Sequence, residues 1–149
     1  MIKKNKFLKF ETKGLFLSLA LIVGLAGCVG GADIVQQKNA ETLVASKTEA
    51  RWQALIEGRL ETAYRYETPE YRAVYTFSQY RRKVHGVGTW KKAEVKGVSC
   101  TENKCIASVK VYVTIVVGRG FENVNSSDQF DENWVQDAKS GDWFHVSDL

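Results

Sequence analysis

The 149-residue chain has few of the side chains that most often build metal and redox centres. It contains only two histidines, His85 and His145, and three cysteines, Cys28, Cys100 and Cys105. Structural zinc takes four ligands, so one C-x4-C pair and two scattered histidines are a weak basis for a zinc site. No two cysteines have the C-x-x-C spacing of a redox motif. The sequence therefore predicts neither a metal site nor a bound cofactor.

A long apolar run is also missing. The most apolar stretch covers residues 15–25 and is interrupted by Ser18 and Gly24. A transmembrane helix needs about 20 apolar residues, so this stretch is too short to span a bilayer. Five lysines and a single glutamate precede it in residues 1–13. A short apolar run behind a basic segment is typical of a signal peptide.

The four residues that follow this run are Leu25-Ala26-Gly27-Cys28. They resemble the lipobox of bacterial lipoproteins. The resemblance implies cleavage between Gly27 and Cys28 and attachment of a diacylglyceryl group to the Cys28 thiol. Acyl chains such as palmitate contribute about 0.8 kcal/mol per buried methylene, which is ample for a stable anchor. Val29 after the cysteine resembles the outer-membrane pattern, so the expected location is the bacterial cell envelope, at the outer membrane and facing the periplasm.

An ordinary secretory signal with an accidental cysteine is the alternative interpretation. In either case the basic excess of the chain, 21 Lys and Arg against 17 Asp and Glu, belongs to the predicted signal peptide. Removal of residues 1–27 takes away five basic residues and one acidic residue, which leaves 122 residues with 16 of each. A balanced domain lacks the basic footprint of a nucleic-acid-binding protein, so we expect no nucleic-acid partner.

The remaining chain is long enough for one domain with a single core. We predict three segments: a signal peptide at 1–27, a lipidated tether at 28–45 and a folded domain at 46–149. The folded domain opens with Ser46-Lys47-Thr48-Glu49, which matches a capping box before an apolar stripe at helical spacing.

Three further signals subdivide the helical half. Gly58 interrupts the apolar stripe and predicts a break between two helices. Thr68-Pro69-Glu70 supplies a capping hydroxyl, a proline for the first helical position and an acid for the first turn. Thr76 with Gln79 offers another capping box.

The second half changes to the period of a strand. From Cys105 to Val117 every second residue is apolar, which predicts a long strand with one buried face. Further strands are predicted at 90–100, 129–137 and 142–147, with a turn at Lys139-Ser140-Gly141. Helices followed by an antiparallel sheet indicate an α+β domain whose helices cover the apolar face of a four-stranded sheet.

Cys100 and Cys105 flank a polar turn at residues 101–104 of a predicted hairpin. A hairpin places the two side chains opposite each other, and outside the reducing cytosol we expect them to form a disulfide. Such a bridge stabilises by about 2 kcal/mol in the chain-entropy model. It would also fix the register of the long strand. Metal binding by this pair is the weaker alternative.

The stretches 51–64, 68–72, 133–135 and 142–146 share a pattern of helices followed by aromatic strand ends. Together they resemble the nuclear transport factor 2-like superfamily, over about residues 42–149. The resemblance implies a cone, in which a strongly curved antiparallel sheet wraps over helices. The superfamily includes isomerases, dehydratases, small-ligand carriers and modules without chemistry, so the fold alone does not select a function.

Aromatic residues are spread over the helices and strands that such a cone brings together. The residues that we predict to line a pocket are Trp52, Tyr64, Tyr75, Trp134 and His145. Core packing with tyrosine hydroxyls at the rim is the simpler interpretation. A partly open aromatic pocket for a small apolar ligand is the alternative.

No catalytic set can be assembled from the sequence. Enzymes of the superfamily use a pocket Asp or His as base, for which His85 and His145 are the candidates here. The acids of the third strand are interpreted as an outward charged face: Asp128, Asp131, Glu132 and Asp137. The sequence favours a membrane-anchored, non-enzymatic module that binds a small ligand or an envelope protein. The alternatives are a small isomerase, dehydratase or hydrolase with a pocket histidine, and a structural accessory of an envelope complex.

Overall fold

A computed structural model of the protein describes residues 29–118 and 122–147. The predicted signal peptide, its cleavage site at Gly27 and the lipid attachment at Cys28 lie outside these residues. Among the helices in the described ranges, none combines the length and the apolar character needed to cross a membrane.

Within the described ranges, four helices precede four strands. The helices are α1 (Val29–Ile56), α2 (Leu60–Tyr64), α3 (Pro69–Val74) and α4 (Phe77–Lys83). The strands are β1 (Trp90–Thr101), β2 (Lys104–Val117), β3 (Glu122–Gln136) and β4 (Trp143–Val146). They form one antiparallel sheet in the order β1-β2-β3-β4. The α+β prediction, with helices packed on a four-stranded antiparallel sheet, is confirmed.

Helix α1 is longer than the sequence predicts. It begins at Val29, so the start signal at Ser46 is wrong and residues 29–45 are helical. The Thr48 hydroxyl donates to the Val44 carbonyl at 2.8 Å, within the helix. Val44 is fully buried in a core cluster. Because tertiary packing of an apolar face stabilises a helix more than local signals do, the helix continues through the predicted cap.

The breaks between the later helices lie where the sequence predicts them. Gly58, between α1 and α2, has a φ of +72°, a left-handed conformation that glycine adopts at low cost. The Thr68 side chain caps α3, and Pro69 occupies its first turn. Thr76 and Gln79 form the capping box of α4. These three local signals are confirmed.

Strand β2 is the long strand that alternation predicts. Its buried residues recur at every second position from Cys105 to Val111. Strand β3 begins at Glu122 and not near residue 129, because its polar first half pairs in register with the exposed end of β2. Both strands are solvated there, so no apolar alternation marks this part of β3.

Two buried clusters lie between the helices and the sheet. The first contains Trp52, Ala54, Leu55, Ala63, Tyr71, Tyr80, Val109 and Val111. The second contains Val44, Cys100, Cys105, Ala107, Trp134 and Trp143. Helix α1 and strand β2 contribute to both clusters, so these two elements hold the layers together.

The predicted disulfide joins Cys100 and Cys105, which are direct partners in the β1–β2 register. Cys105 shares the buried face of β2 with Val109, as predicted. Helix α1 is hydrogen-bonded to the same place. Gln37 Nε2 donates to the Cys100 carbonyl at 2.7 Å, and the Cys100 N–H donates to Glu41 Oε1 at 3.3 Å. The first half of α1 is thus attached to the sheet at the disulfide.

Candidate functional site

Four ionisable side chains meet in the interior, and we call them the buried charge cluster. Arg51 comes from α1, Glu67 from the segment between α2 and α3, Glu132 from β3 and His145 from β4. All four are buried, and Glu67 is fully so. Arg51 Nη1 donates to Glu132 Oε1 at 2.9 Å, and Nη2 donates to Glu67 Oε1 at 3.3 Å. One guanidinium therefore connects two carboxylates from distant parts of the chain.

Backbone bonds fix Glu67 beside His145. The His145 N–H donates to the Tyr66 carbonyl at 2.7 Å, and the Thr68 N–H donates to the His145 carbonyl at 3.2 Å. These bonds make a short parallel bridge between Glu67 and β4. The two side chains consequently face each other.

The Glu67 carboxylate orients the imidazole. His145 Nδ1 lies 2.9 Å from Glu67 Oε2, which also accepts a hydrogen bond from the Ser147 hydroxyl at 2.9 Å. Because an ionised carboxylate can only accept hydrogen bonds, this contact places a proton on His145 Nδ1, which donates to Glu67. The other ring nitrogen, Nε2, is 3.9 Å from Glu132 Oε1. An imidazole held in this way can accept or donate a proton at Nε2.

The buried charge cluster lies beside a cavity of about 430 Å³ between the helices and the sheet. Its polar lining includes Arg51, Glu132 and His145. Its aromatic lining, which we call the aromatic wall, is formed by Trp52, Tyr71, Tyr80, Trp90 and Phe130. Such a mixture of apolar walls and a few convergent polar groups is typical of small-molecule sites.

The structure places two of the five predicted lining residues, Trp52 and His145, at this cavity. The other three do not line it. Tyr64 donates its hydroxyl to the Tyr75 carbonyl at 2.5 Å, and both pack against the first core cluster. Trp134 is fully buried in the second core cluster, beside the disulfide. Their apolar surface is used for packing between the elements.

His85, the other candidate histidine, is exposed and lines the same cavity after the end of α4. It therefore lies at the solvent-exposed edge of the site, whereas His145 is buried.

The prediction of an outward acidic face on β3 is wrong at Glu132. Asp128 and Asp131 are exposed, whereas only 6% of Glu132 is accessible. In the alternation of a strand, Glu132 shares a face with Phe130 and Trp134. That spacing was the available signal, and it indicates an acid that points inward.

Arg51 and Glu67 carry no such signal in the sequence. Arg51 precedes Trp52 in a helix, where an arginine is most often a solvated residue. Glu67 lies in a short connection. Only the meeting of α1 with β3 and β4 makes these two residues part of a site.

The aromatic side of the cavity is held by contacts between rings and by one glycine. Trp52 Nε1 donates to Glu132 Oε1 at 3.0 Å, and its ring centre lies 5.5 Å from that of Trp90 and 5.9 Å from that of Phe130. Gly86 has a φ of +97°, and a Cβ atom there would lie 3.0 Å from the Trp90 ring. Glycine at this position lets Trp90 lie against the backbone.

Burial and charge act against each other in the cluster. Burial lowers the pKa of Arg51, but the carboxylates of Glu132 and Glu67 outweigh it, and the net pKa is raised. Burial also acts to raise the pKa of Glu67. The hydrogen bond and the electrostatic attraction of His145, with those of Arg51 and Ser147, hold that pKa below its ordinary value of 4.5. Arg51 is therefore cationic and Glu67 anionic at neutral pH.

Burial raises the pKa of the Tyr80 hydroxyl to about 12, and the nearby Arg51 charge opposes this only in part. Tyr80 is consequently neutral at physiological pH, and its O–H is a hydrogen-bond donor at the cavity.

Three buried polar atoms of the cavity residues have no hydrogen-bond partner in the part of the chain that the structure describes. They are Arg51 Nε, Tyr80 Oη and Glu132 Oε2. An unpaired buried polar group costs about 1 to 3 kcal/mol, so native proteins rarely leave one without a partner. All three atoms belong to residues that line the cavity, so they are candidate hydrogen-bond partners for a molecule bound there. Among the described residues, no group of three or more His, Cys, Asp or Glu side chains is arranged to hold a metal ion.

No protein-family model matches this chain, and no curated protein matches it. Among solved structures, it is similar to the solution structure of a SEC-C motif containing protein from Rhodopseudomonas palustris. The sequence identity is 13%, the match covers 65% of this chain and 70% of that chain, and the TM-score is 0.48. A likeness of this size establishes neither a family nor a function for the chain.

Proposed function

We propose that this protein is a lipid-anchored module of the bacterial cell envelope that binds a small ligand in the cavity between its helices and its sheet. The observation that carries the proposal is the cavity itself, whose lining combines an aromatic wall with residues that have unpaired buried polar atoms. A cavity that only filled space would be apolar or fully satisfied. Unpaired polar atoms beside apolar walls favour a site that is completed by a ligand.

We also propose that the domain is a nuclear transport factor 2-like cone. The coarse architecture supports this, because the helices cover one face of a four-stranded antiparallel sheet. The position of the cavity, between that face and the helices, is consistent with the interior of a cone.

The anchor is proposed from the lipobox Leu25-Ala26-Gly27-Cys28. In this proposal Cys28 carries acyl chains in the outer membrane, and α1 begins at the next residue, Val29. At about 1.5 Å per helical residue, Trp52 lies about 35 Å along the axis from Val29. In this proposal α1 leads from the anchor in the outer membrane to the cavity in the periplasm, in place of the tether at 28–45 that the sequence predicts.

Two measurements test this proposal. Metabolic labelling with a fatty acid should mark the wild-type protein and not Cys28→Ala, and equal labelling of both would exclude the anchor. Native mass spectrometry of the protein purified from its own envelope should show a bound small molecule. Protein recovered from that source without any adduct would exclude a resident ligand.

A second candidate function is a small isomerase, dehydratase or hydrolase. It is favoured by the pair of Glu67 and His145, which fixes an imidazole next to the cavity, and by the neutral hydroxyl of Tyr80. His145 Nε2 would act as the base and Tyr80 as the opposite donor. Incubation of the recovered ligand with fresh protein separates the two functions. A ligand that changes mass or retention time with wild-type protein but not with His145→Gln indicates an enzyme, and one that is returned unchanged indicates a binding module.

Exposed apolar side chains at the end of the β2–β3 hairpin favour a third role, the binding of an envelope protein. They are Ile115, Val116, Val117 and Val124. Ile115 and Val117 share one face of β2, and Val124 is the register partner of Ile115 on the neighbouring strand. Exposed apolar surface of this kind commonly marks an interaction site. Cross-linking in the envelope should recover a partner with the wild-type protein and lose it with Ile115→Lys if this surface is used.

A further inference from the structure

We propose that the cavity takes a small organic cation, that is, an amine attached to an apolar or aromatic group. This inference rests on the proposed function and names the class of ligand. It stands on three features: a surplus of carboxylates in the buried charge cluster beside the cavity, an unpaired carboxylate oxygen and an aromatic wall.

The surplus of negative charge lies in the buried charge cluster. One guanidinium, that of Arg51, is shared between the carboxylates of Glu67 and Glu132. Apart from His145, the cluster carries one positive and two negative charges, and the imidazole adds a compensating charge only when it is protonated. An uncompensated charge in the interior is costly, so a ligand that brings a positive charge is favoured over one that brings another negative charge.

Two residues of opposite charge, Asp131 and Lys83, lie at the rim of the cavity. Asp131 is exposed and lines the cavity. Lys83 also lines it, but its Nζ lies 3.8 Å from the centre of the Tyr75 ring, and Tyr75 is not a lining residue. The ammonium of Lys83 is therefore held against an aromatic ring outside the lining. Its charge is opposite to that of Asp131, so the rim alone does not select a cation, and the choice depends on the interior of the cavity.

The unpaired carboxylate oxygen is Glu132 Oε2. The other oxygen of this group already accepts hydrogen bonds from Arg51 and from Trp52 Nε1. Oε2 accepts none from the described residues. Since a carboxylate oxygen can only accept, its missing partner is a donor, and an ammonium N–H gives the stronger, charge-assisted bond. The unpaired donors, Arg51 Nε and Tyr80 Oη, would be satisfied by acceptor atoms elsewhere on the same ligand.

The aromatic wall suits both parts of such a ligand. Trp52 connects the polar and the aromatic lining residues. Its Nε1 donates a hydrogen bond to Glu132, and its ring contacts Trp90 and Phe130. Cations are attracted to the faces of aromatic rings, most strongly to that of tryptophan. The apolar group of the ligand would bury its surface against the same rings.

The test compares three probes of nearly equal shape and different charge: phenethylamine, phenethyl alcohol and hydrocinnamate. Isothermal titration calorimetry of the purified mature protein measures the affinity for each one. We expect phenethylamine to bind about tenfold more tightly than phenethyl alcohol and hydrocinnamate to bind most weakly.

Two variants locate the effect. Glu132→Gln should lower the affinity for phenethylamine about tenfold and leave that for phenethyl alcohol nearly unchanged. Because this change also removes a partner of Arg51, its fold is checked by circular dichroism and thermal unfolding. Asp131→Asn alters only an exposed rim charge and should weaken phenethylamine binding by about twofold at low salt, with no effect at high salt.

The outcomes separate this inference from the proposed function. Three results would show that the cavity does not select a cation. They are equal or tighter binding of the alcohol, preferential binding of hydrocinnamate, and no binding of phenethylamine to folded protein. An endogenous ligand that is neutral or anionic would do the same while leaving the binding function intact. If the protein carries no ligand from its own envelope and binds none of the probes, both proposals fail.

Discussion

Arg51 and Glu132 are 81 positions apart in the sequence, yet Arg51 Nη1 donates to Glu132 Oε1 at 2.9 Å in the interior. The contact connects α1 to β3, and the same arginine reaches Glu67 in the connection between α2 and α3. Helix, connection and sheet are thereby joined at one guanidinium. The cavity lies beside this junction, so its shape depends on the arginine.

Replacement of Arg51 by leucine should strongly destabilise the protein. The change leaves Glu67 and Glu132 buried without their cation, and breaking a buried pair in this way costs about 3 to 5 kcal/mol. The free energy of unfolding from urea titration measures the loss. Arg65→Leu is the matched control, because Arg65 forms an exposed i, i+4 pair with Glu61 that is worth less than about 1 kcal/mol. Similar losses in both variants would contradict the structural importance of the buried charge cluster.

The features that the sequence predicts correctly are those with local signals. The caps at Thr68 and Thr76 and the break at Gly58 depend on residues within one turn of each other. The buried face of β2 depends on alternation, and the pairing of Cys100 with Cys105 depends on a short hairpin. Local geometry fixes each of these features, whatever the rest of the chain does.

The features that escape prediction depend on contacts between distant residues. Helix α1 continues through Ser46 because Val44 packs with Cys100 and Trp143, far along the chain. Arg51 and Glu67 become site residues only because the fold places β3 and β4 beside them. A buried ion pair is an exception to the rule that charged residues lie on the surface. Composition and spacing therefore predict exposed positions for these residues.

Acid should weaken the protein partly through Glu67. Its pKa is held below the ordinary value of 4.5 in the folded protein. The carboxylate therefore stabilises the fold fully above the unfolded value, and this contribution is lost as the pH falls through the lower folded value. Urea unfolding at a series of pH values below neutrality should show a steeper loss of stability for wild type than for Glu67→Gln. Parallel curves for the two proteins would mean that the pKa of Glu67 is not lowered.

High pH should destabilise the folded protein through ionisation of Tyr80. Its pKa is raised from 10.0 to about 12 in the folded protein, so its contribution to stability is complete below pH 10 and is lost as the pH rises toward 12. In an ultraviolet titration of phenolate absorbance, one of the six tyrosines should ionise last, near pH 12. Tyr80→Phe should remove that step. A late step that persists in the variant would assign it to another tyrosine.

Gly86→Ala should displace the Trp90 wall of the cavity. The added Cβ would lie 3.0 Å from the indole, and the φ of +97° is already unfavourable for alanine. Gly88→Ala is a close control, because Gly88 has a φ of +91° but no atom within 4 Å of the added Cβ. The control should lose about 1 to 2 kcal/mol from the backbone alone. Gly86→Ala should lower the free energy of unfolding by more than the control does, and it should alter the tryptophan fluorescence. Equal effects of the two changes would show that the Trp90 ring moves aside without loss of stability.

The disulfide sets the register of β2, because Cys105 is paired with Cys100 on one side and with Trp134 on the other. A slip by one residue would turn the buried side chains of Ala107 and Val109 toward water. Cys105→Ser should therefore lower the free energy of unfolding by about 2 kcal/mol, without changing fatty-acid labelling. Wild-type protein treated with a reductant should show the same loss, which separates the bridge from the substitution. Mass mapping of non-reduced protein from the envelope decides the matter, since two free thiols there would exclude the bridge and require another origin for the register of β2.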